Sequence, residues 1–275
     1  MQSDGKILQK LKKQVSGCLV DHAMLSPGDH VMVGLSGGKD SWALLYLLCE
    51  AKKSLPFPIE ISAVTIDGGL VGLETPEFEE QTKRLGVRFY LERQRIFEIV
   101  SEKKDEGSTF CSMCAKLRRG ALYTVAERIG ATKIALGHHL DDAIETLFLN
   151  LFYSGRTAAL PPVLLSHSGH APILRPLLYC QETDLQTLFE TTGLKSVGCA
   201  CPICPIHPEF EGHDDLKRMK MKKIIRGMAQ EIPSFYDSAR AALKHLEPER
   251  FFDTIHSQKA TPHRSNLPFS LDNHT

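Results

Sequence analysis

The feature that most constrains this chain is Ser36-Gly37-Gly38-Lys39-Asp40-Ser41, set between an apolar run, His30 to Leu35, and a helical run that opens at Asp40. Paired glycines let a backbone approach an anion closely and turn successive N–H groups inward. A helix starting at Asp40 adds the positive end of its dipole, and Lys39 adds a mobile positive charge. Strand, glycine turn and helix then recur as a pattern. Strands are expected at 30–35, 59–67, 87–91 and 133–137, and helices at 5–24, 40–52, 75–85, 116–129 and 141–153. This alternation implies an α/β fold with a parallel sheet and helices on both faces. Ligands in such sheets bind at the carboxyl ends of strands. Ser36–Ser41 follows the first strand and His138–Asp142 the fourth, so the candidate chemistry gathers there.

Beyond Gly155 the pattern loosens. Pro161-Pro162 and the stretch 166–170 read as loop, with helices expected near 183–191, 214–229 and 234–246. The polar, aperiodic stretch from His256 to Thr275 reads as a frayed tail. Four regions are expected: an N-terminal amphipathic helix (1–24), the sheet domain (25–210), a basic helical segment (211–255) and the tail (256–275).

Hydrophobic residues are 42% and charged residues 24% of the 275, which excludes disorder and collagen. No apolar run approaches the ~18 residues of a membrane span, and the N-terminus lacks the apolar core of a signal peptide. No membrane association and a cytoplasmic location are expected. Lysine plus arginine balances aspartate plus glutamate, 33 against 33. Yet Lys217, Arg218, Lys220, Lys222, Lys223 and Arg226 crowd one stretch without an acidic residue, and a neutral total can hide a basic face.

Five of the eight cysteines fall in two groups, Cys111/Cys114 and Cys199/Cys201/Cys204. Cys111-Ser112-Met113-Cys114 reads as lying directly before a helix, where two thiolates can ligate one metal and the helix dipole lowers their pKa. Zinc, a redox disulfide and an iron–sulfur site all remain open on this pattern. Cys18, Cys49 and Cys180 sit in apolar or helical contexts and read as packing residues.

The glycine loop does not meet Walker A spacing, and Asp40 stands where that motif has a hydroxyl. It resembles the PP-loop, Ser-Gly-Gly-x-Asp-Ser, of the ATP pyrophosphatase superfamily. The segments Thr109-Phe110-Cys111-Ser112-Met113-Cys114-Ala115-Lys116-Leu117-Arg118-Arg119-Gly120 and Lys133-Ile134-Ala135-Leu136-Gly137-His138-His139-Leu140-Asp141-Asp142 then resemble signatures of the TtcA family of tRNA 2-thiocytidine synthetases. The resemblance runs from about residue 25 to 230, in the family's motif order. It implies a PP-loop, Rossmann-like domain followed by C-terminal helical segments.

The resemblance also implies ATP as co-substrate, Mg²⁺, a 4Fe-4S cluster held by three cysteines, tRNA as substrate and a sulfur donor such as a cysteine desulfurase. Homodimers occur in the family. Carried over residue by residue, Ser36, Gly37, Gly38, Lys39, Asp40 and Ser41 bind the nucleotide's phosphates, with His138 and Asp141 as further nucleotide contacts. Asp142, Arg118 and Asp40 are the candidate catalytic residues. Asp142 would bind Mg²⁺ or assist proton transfer, while a helix-capping role is the plainer reading of Asp141. Cys111 and Cys114 are cluster ligands, and Cys204 is the third by its following Pro205-Ile206-His207-Pro208, with Cys201 and then Cys199 as alternatives. The implied activity adenylates the C2 oxygen of cytidine 32 and replaces it with sulfur. A 2-thiouridine-type thiolase and a non-catalytic, zinc-stabilised RNA- or nucleotide-binding protein stand as alternatives.

Overall fold

The computed structural model describes residues 2–69, 75–102, 110–166, 168–197, 213–245 and 247. His30–Gly34 (β1) is apolar on both sides because it lies at the centre of a covered sheet; Val31, Met32 and Val33 are all inaccessible to solvent. It pairs in parallel with Glu60–Asp67 (β2) on one side and Lys133–Ala135 (β4) on the other. Arg88–Arg93 (β3) continues the sheet beyond β2. Val163–Leu164 (β5) and Ile173–Leu174 (β6) form an antiparallel pair, with β6 parallel to β4. The order is β3-β2-β1-β4-β6-β5. The chain builds outward from β1 to β3 and then returns to lay β4 on β1's other side. That reversal opens a crevice at the carboxyl ends of β1 and β4.

Helices cover both faces. On one, Gln2–Asp21 (α1), Lys39–Lys52 (α2) and Glu182–Thr192 (α7) pack together. Pro76–Arg84 (α3) joins them through a ring contact of 5.7 Å between Trp42 and Phe78, both fully buried. On the other, Ile96–Glu102 (α4) packs on Phe110–Ile129 (α5), whose Leu122, Val125 and Ala126 seal against Met32, Val64 and Ile134. Leu140–Ser154 (α6) leads out of the crevice and packs with His213–Glu231 (α8), which buries Met221 and Ile225. The chain up to Tyr236 is one compact unit, and residues from Asp237 are a second. Phe235–Lys244 (α9) spans that boundary.

Three expectations need correction. Helix α5 begins at Phe110, so Cys111 and Cys114 lie within it and not ahead of it; no proline or glycine from 110 to 119 interrupts it. Helix α4 has no counterpart among the expected helices. Strands β5 and β6 fall in and beyond the stretch that reads as loop, because two-residue strands are too short to show alternation. The packing reading of the isolated cysteines matches the structure: Cys18 and Cys180 are buried, and burial pushes the half-buried Cys49 thiol up to about 11. The tail 256–275 and Cys199, Cys201 and Cys204 lie outside the described residues.

Met32→Ala would empty a fully buried position between the central strand and α5. We expect a loss of ~2–5 kcal/mol, read as a lower urea midpoint at unchanged slope.

Candidate active site

The loop after β1 is braced by its own atoms. Ser41 Oγ donates to the Gly38 carbonyl at 2.8 Å, and the Ser36 N–H donates to Ser41 Oγ at 3.2 Å. Gly37 has φ of +85°, and a Cβ there would stand 2.5 Å from the Val197 carbonyl oxygen, so both conformation and space require glycine. Its own carbonyl accepts from the Val197 N–H at 2.9 Å and from Ser196 Oγ at 3.0 Å. The loop is therefore tied to a segment 159 residues later.

The loop after β4 closes the other wall. A Cβ on Gly137 would lie 3.0 Å from the Asp40 carbonyl carbon and oxygen, so the two loops touch backbone to backbone. His139 caps α6, and its N–H donates to Asp142 Oδ2 at 3.0 Å. The capping carboxylate of α6 is thus Asp142. Asp141 caps a different helix: it accepts the Glu182 N–H at the start of α7 at 2.8 Å, and it hydrogen-bonds Tyr236. Burial pushes the Asp141 carboxyl up, but His139, that N–H and Tyr236 outweigh it and hold it below its usual value.

An ion network fills the crevice. Lys39 Nζ lies 2.8 Å from Asp40 and 3.2 Å from Glu182. The other Glu182 oxygen meets Lys222 at 2.8 Å and Arg226 at 3.7 Å, so one carboxylate joins the glycine loop to α8. Burial pushes Glu182 up, yet Lys222 and Lys39 hold it below the ordinary range. Burial likewise lowers Lys39, while Asp40 and Glu182 raise it, for a net rise. His139 Nε2 lies 3.5 Å from Asp142 and 3.9 Å from Asp40, and Nδ1 lies 3.6 Å from Asp141. Burial would discharge this imidazole, but Asp141 and then Asp142 and Asp40 raise its pKa. His138 goes the other way, lowered to about 4 by burial and then by Arg175. Its Nδ1 is buried without a hydrogen-bond partner among the described residues.

Arg118 and the cysteines approach the same sheet edge from α5. That helix runs back against the strands, as a crossover from β3 to β4 requires. Leu122 packs under Gly34, and one turn earlier the Arg118 guanidinium stands 3.8 Å from where a Gly68 Cβ would be, at the end of β2. Its Nε is buried and unpartnered among the described residues. One turn earlier again comes the half-buried Cys114, with position 111 three residues before it in the helix. A helix N-terminus with a cation close by favours thiolates. Of the pair, Cys114 is described with its side chain and Cys111 only by its place in the helix.

Sequence reading missed Glu182, Gly137 and the Val197 closure. Its own rule, that function gathers at carboxyl ends of strands, would have reached Glu182 had β6 been recognised. Among the described residues, no helix is long and apolar enough to cross a membrane.

The paired histidines should carry opposite pH signatures. For His138, lowered from 6.5 to about 4, stability is present above pH 6.5 and is lost as pH falls toward 4. His138→Asn should flatten that loss by on the order of 1–2 kcal/mol at pH 5. For His139, whose pKa is raised, stability is full below 6.5 and lost as pH rises through the folded value, so His139→Asn should cost most in acid. Urea midpoints from pH 5 to 8 check both signs.

A family model for the PP-loop domain matches residues 6–197. The chain is 38% identical over 250 residues to the tRNA-cytidine(32) 2-sulfurtransferase of Syntrophotalea carbinolica, covering 91% of this chain and 94% of that protein. It is 36% identical over 245 residues to the enzyme of the same name from Geobacter sulfurreducens, covering 89% and 93%. Among solved structures, the U34-tRNA thiolase NcsA from Methanococcus maripaludis, with its 4Fe-4S cluster, shares the fold at a TM-score of 0.67 and 22% identity, over 89% of this chain and 81% of that one. The chain belongs to the PP-loop family, among the tRNA-cytidine(32) 2-sulfurtransferases.

Proposed function

We propose that the protein is an ATP-dependent tRNA thiolase that converts cytidine 32 to 2-thiocytidine. The observation that carries this reading is the convergence at one sheet edge of the phosphate-type loop after β1 and the cysteine turn of α5. A loop alone would serve any nucleotidyl transfer. Joined to a thiolate pair, it suits replacement of a carbonyl oxygen by sulfur.

The carbonyl oxygen at C2 is a poor leaving group. In the first step it attacks the α-phosphorus of ATP, and the bond to pyrophosphate breaks. The N–H groups of residues 37 and 39–41, the N-terminus of α2 and Lys39 take up the charge that develops on the departing phosphates. For this, Lys39 exchanges its contact with Glu182 for phosphate oxygen, while Lys222 and Arg226 keep Glu182 in place. Asp40 and Asp142, each partly exposed beside His139, are the carboxylates placed to hold Mg²⁺, which would neutralise phosphate charge. In the second step sulfide attacks C2, the C2–O bond breaks, and AMP departs with the oxygen. A 4Fe-4S cluster on Cys111, Cys114 and one cysteine of the 199–204 group, Cys204 first, would supply an open iron that holds sulfur. Arg118 lies one turn from Cys114 on α5, its Nε buried without a partner among the described residues, and is the cation we assign to steady the negative charge of cluster and thiolates. His138, neutral at pH 7, adds no charge to the pocket wall.

Anaerobically purified protein, incubated with ATP, Mg²⁺, a sulfide source and unmodified tRNA, should yield 2-thiocytidine on nucleoside analysis. Lys39→Ala should lower kcat/KM for ATP about a hundredfold. Cys114→Ser should abolish both iron content and thiolation yet leave ATP binding intact. Bound zinc without iron, and tRNA unchanged, would move the protein to a binding role; 2-thiouridine as product would shift the base.

A further inference from the structure

The far end of α6 presents two rings to solvent. Phe152 is 65% exposed and Tyr153 50%, beside Leu151 at 47%. Large apolar side chains in a row on one helix end need an occupant. These rings are held in place: Gly155 ends α6 in the left-handed region, and Asn150 Nδ2 donates to the Ala158 carbonyl at 2.7 Å, fixing the turn that follows. Phe148 supports Phe152 at 5.8 Å. The Lys217 ammonium, from the start of α8, lies 5.4 Å from the centre of the Tyr153 ring.

The surrounding charge is mostly positive, with Arg218 Nε 3.8 Å from Glu145 on α6. From Thr146 to Arg156, and from Leu216 to Gln230, there is no acidic residue, while Arg156 and the six cations of α8 are present. Lys220 and Lys223 are exposed, and Lys222 and Arg226 reach Glu182 beside Lys39. The cationic face therefore runs from the site, along α8, toward the rings, one helix length of roughly 20 Å away along α6. A two-fold pairing of this face with itself would set cation against cation. A polyanion with flat, stackable groups has the complementary chemistry.

We propose that Phe152 and Tyr153 form a stacking platform for unpaired bases of RNA, with the cations of α8 tracking its phosphates. The identity of the RNA as the tRNA substrate rests on the function proposed above. The platform grips nucleotides away from the one that reacts, and so fixes the orientation of the loop that enters the crevice.

The test measures binding of an unmodified tRNA transcript to the full-length chain by fluorescence anisotropy across a salt series, with ATP binding and sedimentation run in parallel. Phe152→Ala/Tyr153→Ala should weaken RNA binding about tenfold or more. It should leave the salt slope, ATP affinity and oligomeric state unchanged, and Phe152→Tyr/Tyr153→Phe should restore affinity. Lys220→Gln/Lys223→Gln should instead flatten the salt slope, by about 0.7–0.9 for each phosphate that is no longer neutralised. Unchanged RNA affinity in the ring variant, or a change of oligomeric state in its place, overturns the platform while leaving thiolation standing. A wild-type chain that neither binds nor thiolates tRNA overturns the functional reading, and the platform with it.

Discussion

Everything at this site depends on β4 lying in parallel register beside β1. The pairing sets Met32 against Ile134 and Val33 against Ala135, and it brings the two strand ends level. The loops that follow then meet so closely that a Cβ on Gly137 would press on the Asp40 backbone at 3.0 Å. Each loop forms one wall of the crevice. Neither wall has a fixed position without the other, and neither loop can relax away from its strand. The sheet here acts as a jig that holds two helix N-termini, those of α2 and α6, at one opening.

Electrostatics then divide the labour among the carboxylates. Asp141 accepts the N–H at the start of α7, and Asp142 lends one oxygen to the start of α6. Both neutralise backbone N–H groups, and both fall within reach of His139. Among the described residues, Glu182 is the carboxylate shared between the glycine loop and α8. Its two oxygens face different cations, so charge entering on either side is felt on the other. On the function proposed, a phosphate arriving at Lys39 would free one oxygen of a carboxylate that Lys222 holds by the other.

The parts legible in the sequence are those whose signal is local. The glycine loop, the His138–Asp142 stretch, the CxxC pair and the long amphipathic helices each carry their signal within about twenty residues. The parts that were not legible join distant segments. Val197 closing on Gly37, and Glu182 reaching Lys39, have no local pattern, because neither partner's neighbours differ from ordinary loop and helix. That Asp141 caps α7 while Asp142 caps α6 is hidden for a related reason. Adjacent acidic residues at a helix start look alike in sequence, and only the position of α7 separates them.

The tie between Lys39 and Glu182 spans 143 residues, and that between Gly37 and Ser196 spans 159. On the ribosome, the glycine loop therefore emerges long before the groups that brace it. Until α7 and the segment through Val197 have been synthesised, Lys39 has only Asp40 among its two ion-pair partners, and Gly37 lacks its strap. A nascent chain of half length would hold the motif without the pocket. Since long-range closures form late, the enzyme cannot present an ordered nucleotide crevice before most of its chain exists.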